Sequence, residues 1–451
     1  MRVILTHKIE LRPTKQQELL LREAVGVARF AYNWALDEWK KQYCAGLTPN
    51  EAALRRQLNA IKREQFPWML RVPKSIPQQA IKNLGAAFKN FFERRAGYPT
   101  HKKKGRDDSA RFDNGPGTFR CDGKCIRLPV IGWIRMREAL RFTGKPLSAT
   151  VSRVADRWYV AIPVEIDLPD PVCDNQAAVG VDLGVTTAAT LSSGEKLAGP
   201  KALQANLERL RRLSRRHSRK VNGSKNQYKS ALKLARLHAR IANIRRDWLH
   251  KTTTRLVRTY GVIGIEDLNV RGMLGNRTLA RHIADIGMYE FKRQLQYKAA
   301  LYGVEVVEAD RWFASSKTCS VCGAVTEQMP LGMRDWVCPA CGTDHDRDVN
   351  AAKNLQRMAL SRASCARRNA CGEAGTGHGD TTMVNPASVK VGGFLLPGGC
   401  SLNGKKGIWY HASGYLMCSC PLCEHIFMAT GGCSGRRGGG SVAMGTGTAA
   451  G

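Results

Sequence analysis

The chain has 451 residues, of which 71 are Lys or Arg and 37 are Asp or Glu, a formal charge of +34. An excess of this size argues against an ordinary metabolic enzyme and for a polyanionic partner, because it recruits phosphate backbones before any specific contact forms. The length suggests two to four domains, and 43% apolar residues supply real cores, which excludes disorder throughout.

The opening MRVILTHKIELRP alternates like a strand over Val3–Leu11 and lacks the apolar region of a signal peptide. No run approaches the ~18 apolar residues of a membrane span, so a cytoplasmic protein is expected. After Pro13 and Thr14, Leu19, Leu20, Val25, Phe30, Trp34 and Trp39 recur near the 3.6-residue helical period. A basic stretch from Lys82 to Arg106 carries Phe88, Phe91, Phe92 and Tyr98 among its cations. It reads either as a ridge for nucleic acid or as an amphipathic helix with its rings in the core. Residues 117–167 switch to short alternating runs at Ile126–Val130, Trp133–Met136, Ser148–Val154 and Trp158–Ile166, the pattern of a small antiparallel sheet or barrel. Cys121 and Cys125 have no second pair beside them and are expected to be structural or incidental, and PDPVCDN at 169–175 reads as a linker.

A core domain then begins with AVGVDLGVTTAATL, Ala178 to Leu191, a strand that carries one carboxylate. Residues 201–260 hold 18 Lys or Arg against Glu208 and Asp247 alone. Leu234, Leu237, Ile241, Ile244 and Trp248 fall on one seam, which predicts a long helix or helical hairpin with basic outer faces. Strand pattern returns at Tyr260–Asp267 and Gly303–Ala309, and a last helix is expected over Val349–Met358. Of the residues from Gly392 to Gly451, about a quarter are Gly, which predicts a disordered tail. His411, Cys418, Cys420, Cys423, His425 and Cys433 within it fit no tight metal ribbon.

Two constellations carry chemistry. Cys319, Cys322, Cys338 and Cys341, spaced C-x2-C-x15-C-x2-C, form two knuckles that point four thiolates at one ion. Zn2+ is the expected metal, and with no open coordination position its role is structural. The second is a set of carboxylates: Asp182 in a glycine-flanked strand, Glu266 at the end of Val262–Ile265, and Asp348 at the start of the last helix. Carboxylates from two strands and a helix N-terminus can converge on Mg2+, and two such ions about 4 Å apart suit in-line phosphodiester hydrolysis. Taken singly, each acid has a plain reading as a turn, strand-end or capping residue. Trp312 and Phe313, just before the ribbon, are candidates for base stacking, with core packing the expected role.

GVDLG at 180–184, GIEDLN at 264–269, ASSKTCSVCG at 314–323 and HDRDVNAAKNL at 345–355 resemble the TnpB family. These are transposon-encoded proteins with a split RuvC-like nuclease domain, related to type V CRISPR effectors. The opening IELRPTKQQ and FAYNWAL and the RDDSARFDN of 106–114 are also similar to the family's N-terminal region. The resemblance implies an RNA-guided DNA endonuclease whose cofactors are structural Zn2+, catalytic Mg2+ and a guide RNA, acting on double-stranded DNA, with a monomer favoured. By motif, Asp182, Glu266 and Asp348 match the three acidic positions, and Asp346 is the fallback for the third. The implied fold is mixed α/β and α+β. It comprises an N-terminal strand and helical region (1–120), a β module (121–170), an RNase H-like core (176–360) with a zinc ribbon (314–345) inserted, and a tail (361–451). ACGEAGTGHGDTTMVNPASVK at 370–390 resembles the family's ending, so the following 61 residues are expected to be a functionless extension. The competing expectation is a DNA- or RNA-binding repressor or accessory transposition protein that does not cut.

Overall fold

The computed structural model describes residues 1–371 except 107, 114–118, 328 and 331. The Gly-rich tail, its Cys and His residues and the segment 372–390 lie outside the described residues.

Alternation in the opening segment builds β1 (Arg2–Arg12), which buries Val3, Ile9 and Leu11. Thr14 then caps α1 (Lys15–Cys44). Its hydroxyl accepts from the Gln17 N–H at 3.3 Å while the Gln17 side chain accepts from the Thr14 N–H at 3.0 Å, so two orphan donors are satisfied reciprocally. Leu21, Val25, Ala28, Tyr32 and Leu36 make the buried stripe of α1. This stripe packs with α2 (Glu51–Gln65) and α3 (Ser75–Phe92) in one hydrophobic core. Phe88 of α3 is buried and stacks on Trp39 at 4.1 Å, so the basic aromatic stretch is at this point an amphipathic helix with its ring inward.

Seven further strands follow: β2 (Ser109–Asp113), β3 (Arg120–Asp122), β4 (Cys125–Leu128), β5 (Gly132–Met136), β6 (Lys145–Pro146), β7 (Ser148–Val154) and β8 (Arg157–Asp167). The strands expected over 117–167 do form an antiparallel sheet, but not by themselves. The order is β2-β7-β8-β1-β5-β4-β3 with β6 also on β8, and β1 pairs with β8 from Arg2–Asp167 to Leu11–Trp158. The first residues of the chain are thus the sheet's central strand, a long-range pairing that no local pattern reports. Cys121 and Cys125 sit on facing strands of the β3–β4 hairpin.

The second sheet has the order β11-β10-β9-β12-β13, from β9 (Ala178–Asp182), β10 (Ala189–Leu191), β11 (Lys196–Leu197), β12 (Val262–Ile265) and β13 (Glu305–Glu308). β9, β12 and β13 run parallel. Between β11 and β12 lie α4 (Ala202–Ala205), α5 (Leu207–Ser218) and α6 (Lys225–Thr259), and between β12 and β13 lie α7 (Val270–Met273), α8 (Ala280–Ile286) and α9 (Met288–Tyr302). A two-stranded ribbon, β14 (Asp335–Val337) and β15 (Asp344–Asp346), leads into α10 (Arg347–Cys371).

Strand periodicity divides this sheet into two faces. Val179, Val181, Ile263 and Ile265 pack on one side against Leu249 and Leu256 of α6 and Phe291 and Leu295 of α9. On the other side lies α10. A Cβ at Gly180 would collide with the Ala352 carbonyl, and one at Gly264 with the Leu355 carbonyl, so only glycine lets the helix backbone rest directly on the strands. α10 starts two residues earlier than the predicted helix and continues well past Met358, because Ala359 and Ala363 keep packing against Val262.

The basic segment forms the expected helical hairpin. Leu210 of α5 meets Leu234, Leu237 and Ile241 of α6, while Arg212, Arg215, Arg216 and Arg219 are exposed. No helix among the described residues is long and apolar enough to cross a membrane.

Candidate active site and metal centre

Asp182 ends β9 and Glu266 follows directly on β12. Gly180 pairs with Gly264 and Val181 with Ile265, so the two acids close adjacent parallel strands. Each stands two residues after the glycine that receives α10 and therefore on the same face. Asp348 lies in the first turn of that helix. Burial pushes the Asp182 carboxyl upward, and the negative charges of Glu266 and Asp348 push it further, to about 8, against the weaker pull of Arg347 and Arg334. Burial also raises Glu266, opposed by the hydroxyl of Ser315, which donates to Glu266 Oε1. Asp348 pairs with Arg334 at 3.1 Å. The structure thus brings the three sequence-predicted acids within electrostatic reach of one another, with Arg334 and Arg347 beside them. Converging carboxylate oxygens are the donors that hard divalent cations take.

The neighbouring acids are engaged elsewhere. Asp267 pairs with Lys292 at 2.9 Å and Arg311 at 3.1 Å, and the Lys292 contact holds its carboxyl low. Asp346, the fallback, ends β15. It accepts from the Val349 N–H at 2.9 Å, so it caps α10, and it pairs with Lys196 at 2.6 Å. The capping role considered for Asp348 therefore falls to Asp346.

The sulfurs of Cys319, Cys322, Cys338 and Cys341 lie within 4.8 Å of one another. Four soft donors at this spacing form a cluster that can bind a metal and fit a tetrahedral ion such as Zn2+. Cys319 and Cys338 are buried with Trp336 in a small apolar cluster. Sequence reading gave His345 no role. Its Nε2 is 3.0 Å from the Cys319 sulfur, and its ring lies against Trp336 at 4.8 Å, on the strand paired with that tryptophan. Its position four residues after Cys341 was the available signal. Ser315, Asn350 and Asn354, also missed, are buried polar residues between the two sites.

The expectation of core packing for Trp312 and Phe313 is corrected. Trp312 is 87% exposed and Phe313 is 37% exposed. The cause is the tight loop after β13: Asp310 accepts from the Trp312 N–H through Oδ1 and from the Phe313 N–H through its carbonyl, which turns the chain outward. Trp312 rims a cavity of about 410 Å³ that Asp267, Glu308, Asp310 and Arg311 also line.

A solved structure titled "Cryo-EM structure of the Cas12f1-sgRNA-target DNA complex" matches this fold with a TM-score of 0.52 at 13% identity, covering 79% of this chain and 99% of that one. The chain thus has a mixed α/β fold of the kind found in that effector. Residues 161–277 match the IS605 OrfB family, described as "Probable transposase", and residues 289–355 match "Cas12f1-like, TNB domain". Residues 1–47, which fold as β1 and α1, match a family described as "Helix-turn-helix domain". A Streptomyces pristinaespiralis protein named "Putative RNA-guided DNA endonuclease" is 40% identical, covering 79% of this chain and 90% of its own length. Its Escherichia coli K12 namesake InsQ is 35% identical over 81% and 93%. The chain belongs to the TnpB family, the OrfB proteins of IS605-type transposons.

Proposed function

We propose that this chain is an RNA-guided DNA endonuclease of a transposable element, hydrolysing phosphodiesters at Asp182, Glu266 and Asp348 within an RNase H-like core spanning 176–360. The observation that carries this reading is the Asp182 carboxyl, raised to about 8 by burial and by the charges of Glu266 and Asp348. Asp182 and Glu266 have no cation partner within ion-pair distance among the described residues, unlike Asp267 and Asp346, and Asp348 alone of the three pairs with an arginine, Arg334. Three carboxyls crowded closely enough to raise one of them to about 8 suit a metal-dependent hydrolase. When bound, two Mg2+ ions would supply an activated water and a stabilised leaving oxygen.

The chain's own residues do the rest. Asp182 and Glu266 are rigid ligands because they close paired strands, and Asp348 is held over them by α10. The exposed arginines of α5 track the phosphates of a single DNA strand toward these acids. Residues 1–170 grip guide RNA and heteroduplex by shape and backbone. The four thiolates hold one Zn2+ that folds the ribbon 314–345 and takes no part in the reaction.

The test is to express the chain with the DNA flanking its gene, sequence the RNA that copurifies, and assay cleavage of a matching plasmid with and without Mg2+. The expected result is a discrete RNA and Mg2+-dependent cutting that Asp182→Ala abolishes while RNA binding survives. Bound RNA with no cutting at any Mg2+ concentration would favour a binder that does not cleave.

A further inference from the structure

The segment from Ala314 to Ser320 touches both candidate metal sites. At one end the buried hydroxyl of Ser315 donates to Glu266. At the other, Cys319 is fully buried in the thiol cluster. The chain between is closed as a tight turn, with the Thr318 N–H and hydroxyl donating to the Ala314 carbonyl at 3.0 and 2.8 Å.

This turn is fastened to the helix that carries Asp348. Asn354 donates to the carbonyls of Ser315 and Thr318 at 2.8 and 2.6 Å. Asn350 donates to the Thr318 carbonyl at 2.8 Å and accepts from the Ser320 N–H at 2.8 Å, and Arg357 donates to the Ser320 carbonyl. Asn350 and Asn354 are 1% and 4% exposed and one helical turn apart, so water cannot replace these bonds. Between Ser315 and Cys319 the strap is thus fixed to α10 at several points.

We propose that Ser315 is a positioning residue for Glu266, and that the strap 314–320 couples filling of the cysteine cluster to divalent-cation affinity at the carboxylates. The proposal rests on the reading of those carboxylates as a metal site. Hydrogen bonds that orient a ligating carboxylate typically affect metal affinity by about 10–100-fold. Coupling between two binding sites is reciprocal, so each metal strengthens the other by the same factor.

The experiment titrates Mn2+ into the full chain with its copurified RNA, reads free Mn2+ by electron paramagnetic resonance, and counts only ions bound beyond those held by an Asp182→Ala complex. Ser315→Ala is expected to weaken this binding by about 10–100-fold while keeping one zinc per chain. Ser315→Thr, which restores the hydroxyl, is expected to bind more tightly than Ser315→Val, and that pair decides the matter should Ser315→Ala fail to fold. Stripping zinc, followed by dialysis, weakens Mn2+ binding in the unmodified protein and adds no further loss in Ser315→Ala. Equal Mn2+ affinity with and without the hydroxyl would overturn the proposal, as would a zinc effect that simply adds to the Ser315→Ala effect. No specific Mn2+ binding by the unmodified chain would instead overturn the carboxylate reading, and this proposal with it.

Discussion

Gly180 and Ala352 meet backbone to backbone: the α-carbon of the strand residue lies against the carbonyl of the helix residue, with no room for a methyl group between them. Gly264 and Leu355 repeat the contact on the paired strand. Because side chains alternate along a strand, each glycine places the acid two residues later on the helix-covered face, where the N-terminus of the same helix delivers Asp348. The glycine that precedes each strand acid is therefore part of the site's geometry.

Gly180→Ala should force α10 away from the sheet. Overpacking of this kind costs typically ~1–3 kcal/mol, readable as a lower urea midpoint. The displaced Asp348 should reduce cleavage beyond what the loss of stability explains. Alanine at Gly184, where the nearest obstacle is a turn carbonyl of Thr187, tests a strand-end glycine outside the α10 contact and should leave cleavage less affected.

The pH dependence follows from Asp182. Its carboxyl, at about 8 in the fold, keeps a proton that the unfolded chain releases near pH 4. The folded state binds more protons in that interval, so this group's contribution to stability falls as pH rises toward 8 in metal-free protein. Asp182→Asn should therefore melt higher than the unmodified chain at pH 8 without divalent ions, by ~2–4 °C for each kcal/mol recovered. The gap should narrow steadily below pH 8, close only near pH 4, and also narrow on adding Mg2+ to the unmodified chain. Cation affinity should itself rise with pH up to about 8, with protons released on binding.

With Zn2+ held by the four thiolates as proposed, its removal should unfold the ribbon locally. Trp336, 7% exposed and packed on His345, loses its cover when Cys319 and Cys338 are no longer held together. A red shift in tryptophan fluorescence on zinc removal is expected, and it should be absent in Trp336→Phe.

Asp285 is a buried clamp between three helices. Its carboxylate accepts from the N–H groups of Leu203 and Gln204 at 2.9 and 3.1 Å and pairs with Arg245 at 3.1 Å. Asp285→Ala leaves these donors unsatisfied, and breaking one partner of a buried pair costs about 3–5 kcal/mol. Denaturant titration should show that loss, with the base of the basic hairpin the first region to exchange its amides.

The exposed face of α5 should set the salt dependence of nucleic-acid binding. Each phosphate contact removed by changing Arg212, Arg215 or Arg216 to Gln should reduce the slope of log K against log salt by about 0.7–0.9, and the effect should not depend on DNA sequence.

Local chemistry was legible in the chain itself. The four cysteines announce their cluster by spacing alone, the alternation of Val179, Gly180, Val181 and Asp182 announces a strand bearing one acid, and the leucine seam of 234–241 announces a basic hairpin. Motif resemblance matched Glu266 to the second acidic position and Asp348 to the third, with Asp346 as the fallback. Neither choice follows from spacing, since adjacent acids differ only in what surrounds them. Tertiary structure shows what surrounds each: Lys292 and Arg311 pair with Asp267, Lys196 and the start of α10 engage Asp346, and Asp348 pairs with Arg334, while Glu266 and Asp348 both lie close enough to Asp182 to raise its carboxyl. It also placed β1 at the centre of a sheet whose partners come from residues 109–167, turned Trp312 into solvent, and set Ser315 against Glu266. These are contacts between segments far apart in the chain or turns imposed by a neighbouring loop. A pattern of hydrophobicity reports which face of an element is buried, and only the folded chain decides what that face is buried against.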